Sequence, residues 1–212
     1  MGSSDATTIL LVRHGHVPGI SPERFRGRTE IELTEQGVVE AHDTAEWIAR
    51  FWRPTLVYTS PIKRCRDTGA AIAARCKVSA EVLPSLNDLD YGEWQWQTHA
   101  AVEADSPALY RRWHASPHLV RFPKGESLQE LVARAADALR LAIDRHRAET
   151  IVMVGHASVN RALLLQALDQ PLSAYWTLAQ DPCAINQIAA APDRVVVMGL
   201  NETAHLRLPR PV

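Results

Sequence analysis

Two stretches of the chain each end a run of apolar residues in a histidine. Residues 9–15 read ILLVRHG and residues 151–157 read IVMVGHA, so four apolar residues and one intervening residue precede His14 and His156. Arg13 stands immediately before His14. A single histidine after a strand is most often a turn residue or a hydrogen-bonded, partly buried side chain. The repeated pattern favours a functional site over that alternative.

The two histidines and the arginine suit a site for an oxyanion. In open parallel sheets, ligands bind beyond the carboxyl ends of the strands, so neighbouring strands would bring His14 and His156 together there. Arg13 supplies fixed positive charge, and His156 precedes a predicted helix whose first N–H groups favour an anion. Phosphate is the oxyanion that fits such donors best.

A second arginine is predicted to reach the same edge of the sheet. The run TLVYT at 55–59 is a further predicted strand, and SPIKRCRDT follows it at 60–68. Ser60 as N-cap and Pro61 at the first helical position predict a helix start, which places Arg64 in the first turn. The alternative for Arg64 is a solvated surface arginine, which is the usual environment of this residue type.

A metal site is the competing explanation for the histidines. His14 and His16 could supply two ligands, but Arg13 beside them would repel a cation, and no H-E-x-x-H helix or cysteine pair completes a ligand set. The cysteines at positions 65, 76 and 183 lack C-x-x-C spacing, which argues against structural zinc and a disulfide framework and suits a reducing compartment. We therefore expect no metal and no cofactor.

The strands and helices that would position these residues alternate along the chain. Continuous apolar or β-branched runs predict strands, and apolar residues at a helical period predict helices. The predicted strands are 9–12, 55–59, 78–82, 150–155, 183–191 and 194–200. The predicted helices are 34–52, 60–76, a short helix opened by Ser106 and Pro107, 128–143 and 157–168.

Strands that are apolar throughout and alternate with helices indicate an α/β fold. We predict a mostly parallel central sheet with helices on both faces, plus a mainly helical insertion around residues 84–125. No linker, repeat or low-complexity tract divides the sequence, so residues 1–212 are expected to form a single domain.

The composition limits the classes of partner. The net charge is −1, from 23 basic and 24 acidic residues, which leaves no overall field to attract nucleic acid or an anionic membrane. No run approaches about 18 apolar residues and the N-terminus has no apolar signal segment, so we expect a cytoplasmic protein that does not enter a membrane. Nothing in the sequence indicates an oligomeric state.

Several motifs of one known family occur here in the family's order. RFRGRTEIELTEQG at 24–37 is similar to R-x-x-G-x-x-D-x-x-L-T-x-x-G, and SPIKRCRDT at 60–68 is similar to S-x-x-x-R-x-x-x-T. The other matching motifs are RHG at 13–15, LNDLDYGEW at 86–94, KGES at 124–127, GHASVNRALL at 155–164 and NETAHL at 201–206. Over residues 9–206 the sequence resembles the histidine phosphatase superfamily, also called phosphoglycerate mutase-like.

The resemblance implies a role for each matching residue. His14 would attack phosphorus to give a phosphohistidine that water later hydrolyses, without a metal or cofactor. Phosphoryl transfer depends mostly on positioning and on neutralising the charge of the phosphate oxygens. The residues implied to hold these oxygens or to bind the substrate are Arg13, Arg64, His156, Arg24 and Gly27.

The resemblance also locates the proton donor for the leaving oxygen. The family pattern L-x-E-x-D-x-G-x-W has Glu in the position of Asp88, and Asp90 stands at its second acidic position. We assign the general acid to Asp88 and keep Asp90 and Glu93 as alternatives, because an aspartate side chain reaches less far than a glutamate. Each of the three could instead be a hydrogen-bonded loop carboxylate, and for Glu93 this is the preferred interpretation.

Departures from the family pattern bear on the substrate. His16 replaces the usual Glu after RHG, Ile20 stands where mutases have Asn, and Trp96 stands where Gly is usual. Only 36 residues separate Asp88 from Gly125, whereas a mutase would carry a longer insertion. We therefore predict a phosphatase acting on a small-molecule phosphate ester. The alternatives are a cofactor-dependent phosphoglycerate mutase and a non-catalytic phosphate-binding protein.

The insertion is rich in aromatic and basic residues that could cover a bound substrate. They are Trp94, Trp96, His99, Tyr110, Arg111, Arg112, Trp113, His114 and His118. Trp94 and Trp113 could instead be core residues, which is the more common environment of a tryptophan.

Overall fold

The computed structural model describes residues 6–191 and 193–207, and its centre is a six-stranded sheet. The strands, numbered in chain order, are β1 (Thr7–Arg13), β2 (Pro54–Thr59), β3 (Ser79–Val82), β4 (Thr150–Gly155), β5 (Ile185–Ala191) and β6 (Arg194–Glu202). Their order across the sheet is β3-β2-β4-β1-β5-β6. The first four strands in this order are parallel, β5 pairs antiparallel with β1, and β6 pairs antiparallel with β5. The predicted mostly parallel sheet is confirmed.

The two strands that precede His14 and His156 are direct neighbours. β1 and β4 pair in parallel, and Arg13 stands opposite Gly155 at the end of the ladder. His14 and His156 therefore leave the sheet side by side at its carboxyl edge, as the repeated pattern requires.

Six α-helices accompany the sheet within the described residues. They are α1 (Glu35–Phe51), α2 (Lys63–Cys76), α3 (His99–Asp105), α4 (Pro107–Ala115), α5 (Leu128–Arg145) and α6 (Ala157–Ala167). Thr34 caps α1 by accepting a hydrogen bond from the backbone N–H of Gly37, and Ser127 and Glu130 form a capping box at α5. In the part of the chain described here, no helix is long and apolar enough to cross a membrane.

The helices cover both faces of the sheet, which explains why its strands are apolar throughout. Leu10 and Val12 of β1 pack in one apolar cluster with residues of α1 and α2. Ile9 and Leu11, which point to the opposite face, pack in a second cluster with residues of α5 and α6. A strand buried on both faces has no solvent side and needs no alternation of polar residues.

The predicted start of α2 is wrong by two residues. The helix begins at Lys63, and its N-cap is Ile62, which makes no capping hydrogen bond through its side chain. Ser60 lies two residues before the N-cap, where its hydroxyl accepts the N–H of Ile62 at 3.4 Å and is bonded to His156, with Oγ 2.8 Å from Nε2. Glu30, from a distant segment, instead accepts the N–H of Lys63 at 3.1 Å.

The insertion is mainly helical, as predicted. It contains α3, α4 and three short 3-10 turns at Pro84–Leu86, Gly92–Trp94 and Pro117–Leu119. α4 begins at Pro107 after Ser106, as expected, whereas α3 was not predicted. Trp94 and Trp113 are buried in the apolar cluster that also holds α5 and α6, so the core interpretation is the correct one for them.

Candidate active site

A pocket lies at the carboxyl edge of the sheet, where β1 and β4 end. Arg13, His14, Asp88 and His156 all line it. The ring centroids of His14 and His156 are 5.3 Å apart. The structure therefore brings together the side chains that the sequence placed at this edge.

His14 presents an unprotonated nitrogen. Its Nδ1 lies 2.7 Å from the carbonyl oxygen of Gly15. Because a carbonyl only accepts, Nδ1 donates and Nε2 keeps its lone pair. Burial lowers the pKa of His14 well below its ordinary value, and the nearby positive charges of Arg64 and Arg13 act in the same direction. The imidazole is thus neutral near pH 7.

Arg13 is held beside His14 by the chain that returns from α6. Its Nη1 donates to the carbonyl oxygen of Gln180 at 2.5 Å, and the Gln180 side chain donates to Asn186 of β5 at 2.9 Å. Nε of Arg13 is buried without a hydrogen-bond partner. Burial, followed by repulsion from Arg26 and Arg161, lowers the pKa of Arg13 to about 10. Sequence reasoning missed Gln180, since nothing in its neighbourhood marks a support for Arg13.

Arg64 is fully buried and connects three parts of the site. Its Nη2 donates to Asp88 Oδ2 at 3.0 Å, to His156 Nδ1 at 3.1 Å and to the carbonyl oxygen of Gly27 at 2.7 Å. Its Nη1 donates to the carbonyl of Thr29 at 2.8 Å. The surface-arginine alternative is therefore wrong for Arg64.

Gly27 contributes its backbone to this arrangement. Its φ is +44°, in the left-handed region, and a Cβ there would lie 2.7 Å from Oε1 of Gln95 and 3.0 Å from the ring of Tyr91. A side chain at this position is excluded by both effects. Gly27 lines the pocket, and its carbonyl holds Arg64.

His156 is held by partners on both ring nitrogens. Arg64 donates to Nδ1, so the neutral ring carries its proton on Nε2 and donates it to Ser60 Oγ at 2.8 Å. Burial, followed by the charges of Arg64 and Arg13, lowers the pKa of His156 well below its ordinary value. The Cys65 thiol also lies 3.4 Å from Nε2, but it donates to the Gly155 carbonyl and burial raises its pKa.

Of the three candidate acids, only Asp88 lines the pocket. Its Oδ1 accepts hydrogen bonds from the backbone N–H of Leu89 at 2.9 Å and from the hydroxyl of Ser158. Asp90 instead accepts from the N–H of Gly92 at 2.9 Å and pairs with Arg28 at 3.3 Å. Glu93 forms an exposed ion pair with Lys124. Asp90 and Glu93 are therefore loop carboxylates.

Further guanidinium groups line the pocket. Arg24 lies over the Trp96 ring at 5.2 Å and donates to the Trp96 carbonyl at 2.7 Å. Arg26 and Arg161 were missed by sequence reasoning. Arg26 lies within the RFRG motif, and Arg161 lies on α6 five residues after His156, so both stood within stretches that the resemblance had already marked.

The outer wall of the pocket is aromatic. It includes Phe25, His99, Trp113 and Trp176. His99 stacks on Phe25 with ring centroids 4.2 Å apart, and His114 stacks on Trp176 at 5.6 Å. Of the insertion residues predicted to cover a substrate, His99 and the core residue Trp113 line the pocket. Trp176 joins them from a 3-10 turn at Leu172–Thr177 that was not predicted.

The second histidine of the RHGH stretch lies elsewhere. His16 is absent from the pocket lining, and its Nδ1 lies 2.9 Å from the hydroxyl of Thr34. Across the described residues, no three histidine, cysteine, aspartate or glutamate side chains are grouped so as to hold a metal ion.

Comparison with known proteins identifies similar chains. The sequence matches the family model of the histidine phosphatase superfamily (branch 1) over residues 9–203. It is 30% identical over 198 residues to phosphoserine phosphatase 1 of Hydrogenobacter thermophilus, with 93% of each chain covered. It is 30% identical over 208 residues to a metal-independent phosphoserine phosphatase of Arabidopsis thaliana, covering 96% of this chain and 84% of that one. The solved structure of Bacillus stearothermophilus YhfR, at 24% identity, superposes with a TM-score of 0.90 over 95% of this chain and 100% of that one.

Proposed function

The chain belongs to the histidine phosphatase superfamily (branch 1) and is a phosphoric monoester hydrolase, and we propose that it hydrolyses a small-molecule phosphate monoester through a phosphohistidine on His14. The lone pair on Nε2 of His14 supports this most strongly. A neutral imidazole nitrogen is a competent nucleophile without a separate activating base. Arg13 and Arg64 flank it with the positive charge that a phosphoryl group needs.

In the first step, Nε2 of His14 forms a bond to phosphorus while the bond from phosphorus to the leaving oxygen breaks. The electron pair of the broken bond goes to the leaving oxygen, which takes a proton from the carboxyl group of Asp88. In the second step, water attacks phosphorus, the phosphorus–nitrogen bond breaks and its electron pair returns to Nε2. The Asp88 carboxylate takes the proton of the attacking water, and the products are an alcohol and inorganic phosphate.

Arg13, Arg64 and His156 are proposed to hold the phosphate oxygens. Nε of Arg13 and Nε of Arg64 are buried donors without a partner, and a bound anion would supply an acceptor. For His156 to donate to a phosphate oxygen, the contact between Arg64 Nη2 and Nδ1 must break and Nδ1 must carry a proton. The hydroxyl of Ser60 permits this because it can either accept from Nε2 or donate to it. With this charge supplied by side chains, the proposed reaction is metal-independent.

A small leaving group fits the site better than a large one. The cavity volume is about 110 Å³, whereas pockets for drug-sized ligands measure about 300–1,000 Å³. Phosphoserine is the first substrate to test, because the relatives from Hydrogenobacter thermophilus and Arabidopsis thaliana are phosphoserine phosphatases by name. Arg24 and Gly27 remain proposed substrate-binding residues, Gly27 through the carbonyl that holds Arg64.

Trapping the covalent intermediate tests the mechanism. Wild-type protein mixed with a ³²P-labelled phosphate monoester and quenched in alkali should carry acid-labile, base-stable label on His14. His14→Ala should fold, carry no label and show no turnover. His42→Ala, which removes an exposed histidine of α1, should behave as wild type. Label on a serine, aspartate or cysteine would contradict the phosphohistidine.

A substrate screen separates the alternatives. Phosphate monoesters are offered with and without 2,3-bisphosphoglycerate, and release of inorganic phosphate without it supports a phosphatase. Isomerisation of phosphoglycerate that depends on it would indicate a mutase. We expect inhibition by vanadate and full activity in a chelator. Activity that a chelator removes and zinc or magnesium restores would contradict metal independence.

A further inference from the structure

The pocket holds more unpaired positive charge than a phosphate group requires. Four guanidinium groups line it, and none forms an ion pair with a carboxylate among the residues that the structure describes. They belong to Arg13, Arg24, Arg26 and Arg161. The two carboxylates in the lining have other neighbours, since Asp88 pairs with Arg64 and Glu23 lies 4.0 Å from His99.

Arginines just outside the pocket differ in this respect. Arg28, two residues after Arg26, pairs with Glu126 at 2.7 Å and with Asp90 at 3.3 Å. Arg134 pairs with the same Glu126 at 3.0 Å. The chain therefore supplies carboxylates to the arginines that support the site and leaves the arginines that line it without one.

Arg26 and Arg161 are fixed in place by groups that leave their charge uncompensated. Nη1 of Arg26 donates to the carbonyl of Gly19 at 2.5 Å. Nε of Arg161 donates to the carbonyl of Leu178 at 2.7 Å. Both side chains are half-buried, and holding two cations this close to Arg13 costs free energy that an anionic ligand would recover.

The Arg161 guanidinium is further oriented by two aromatic rings. It lies 5.3 Å from the centroid of Tyr175 and 5.1 Å from that of Trp176. Cation–π contact sets its direction without neutralising it. A planar guanidinium held this way matches the two oxygens of a planar carboxylate.

We propose that the leaving group of the substrate carries a carboxylate, and that Arg26 and Arg161 bind this carboxylate while His14 and its neighbours hold the phosphate. This inference rests on the proposed phosphatase function and specifies its substrate class as the phosphate esters of small hydroxy acids. Arg26 and Arg161 then determine specificity and take no part in bond breaking.

Substrates that differ only in the carboxylate provide the test. Phosphoserine is compared with phosphoethanolamine, which lacks only that group, and 3-phosphoglycerate with glycerol 3-phosphate, in which an alcohol replaces it. A charged hydrogen-bonded contact contributes about 10- to 100-fold. We expect wild-type kcat/KM to favour the carboxylate member of at least one pair by about that factor, mainly through KM.

Variants then assign the preference to residues. Arg161→Gln and Arg26→Gln should each reduce the carboxylate preference about 10-fold or more, and Arg161→Lys should retain part of it. Arg111→Gln removes the same charge from an exposed position on α4 and should leave the preference unchanged. The preference is the ratio of two kcat/KM values measured on the same preparation. A smaller fraction of folded protein lowers both values equally and leaves the ratio unchanged.

The results of these experiments distinguish failure of the carboxylate site from failure of the proposed phosphatase function. Hydrolysis of p-nitrophenyl phosphate with equal rates for both members of each pair would overturn the carboxylate site while the phosphatase stands. A preference that survives in both glutamine variants would overturn the assignment to Arg26 and Arg161. If wild type hydrolyses no phosphate monoester, including p-nitrophenyl phosphate, the proposed function itself fails.

Discussion

The pocket has two parts that are built in different ways. The floor consists of Arg13, His14 and His156, together with Arg64, which is buried behind them and does not itself line the pocket. The rim consists of His99, Trp113 and Trp176. Side chains of the floor leave the ends of strands or the first turn of a helix, and each is held by at least one hydrogen bond to a backbone carbonyl or a neighbouring side chain. Side chains of the rim come from the insertion and from a 3-10 turn, and their contacts are mainly between rings, Trp113 against Trp176 and His99 against Phe25.

Because the floor and the rim are built differently, we expect the floor to carry out phosphoryl transfer and the rim to select the substrate. A buried hydrogen-bonded group has one stable position, because leaving its polar atoms unpaired is costly. A ring pair contributes only about 0.5–1.5 kcal/mol beyond the area that it buries, and a small shift of the rings leaves no polar atom unpaired. Changes in the floor and in the groups that touch it should therefore reduce turnover, whereas changes in the rim should alter KM.

The largest effect is expected from the proposed general acid beside the floor. Asp88→Asn should lower kcat by about 10²- to 10⁴-fold on alkyl phosphates, which is the usual range for general acid–base catalysis. The loss should be smaller on p-nitrophenyl phosphate, because its leaving group departs with little need of a proton. Steady-state kinetics on both substrates measure the difference.

Asp90→Asn is the matched control, because Asp90 is a neighbouring carboxylate that bonds to Gly92 and Arg28 outside the pocket. Its kcat should stay within a few-fold of wild type. Near-normal turnover in Asp88→Asn together with a crippled Asp90→Asn would show that the acid is misassigned.

A smaller effect is expected from Ser60, which supports the floor from behind. Ser60→Ala removes the acceptor for Nε2–H of His156 and leaves a buried donor unpaired, so vanadate affinity and kcat/KM should each fall about 10-fold. The ¹⁵N chemical shifts of His156 should change because its tautomer is no longer fixed. Cys65→Ala, which alters another neighbour of Nε2, should cost less than about 3-fold, because the thiol donates elsewhere. Equal losses in both variants would mean that packing, not the hydroxyl, positions His156.

The floor was predictable because regular structure determines it. Two apolar runs that end alike become neighbouring parallel strands, and this alone places His14 beside His156. Arg64 followed from the strand before it, even though the helix start was wrong by two residues. Ser60, the expected cap, lies two residues before the N-cap and is bonded to a histidine 96 positions away.

The rim was not predictable in the same way. Trp176 reaches the pocket from a 3-10 turn, and its Nε1 donates to the carbonyl of Trp113 at 3.0 Å. Arg161 faces the pocket because Tyr175, Trp176 and the Leu178 carbonyl hold it there. These are contacts between irregular segments, and no local periodicity or capping pattern encodes them.

Acid conditions should destabilise the folded protein through the two histidines of the floor. Burial lowers the pKa of His14 and of His156, so below about pH 6.5 the unfolded chain binds protons that the folded protein does not. Each histidine should then cost about 1.4 kcal/mol of unfolding free energy per pH unit until its folded-state pKa is reached. Urea denaturation at pH 7.0 and 5.5 should show this loss in wild type and a smaller one in His156→Asn. If wild type and His156→Asn lose the same unfolding free energy between pH 7.0 and pH 5.5, His156 is protonated in the folded protein.

The smallest effect is expected at the rim. Trp176→Leu removes the ring over which Arg161 lies at 5.1 Å, and a cation–π contact at a partly exposed site contributes about 0.5–1 kcal/mol. KM for phosphoserine should therefore rise about 2- to 5-fold, while kcat and the inhibition constant of vanadate stay unchanged. Trp176→Phe keeps an aromatic face and should lie closer to wild type, although it loses the hydrogen bond to Trp113. A fall in kcat or in vanadate affinity would show that the rim also positions the floor, and the separation between the two parts of the pocket would fail.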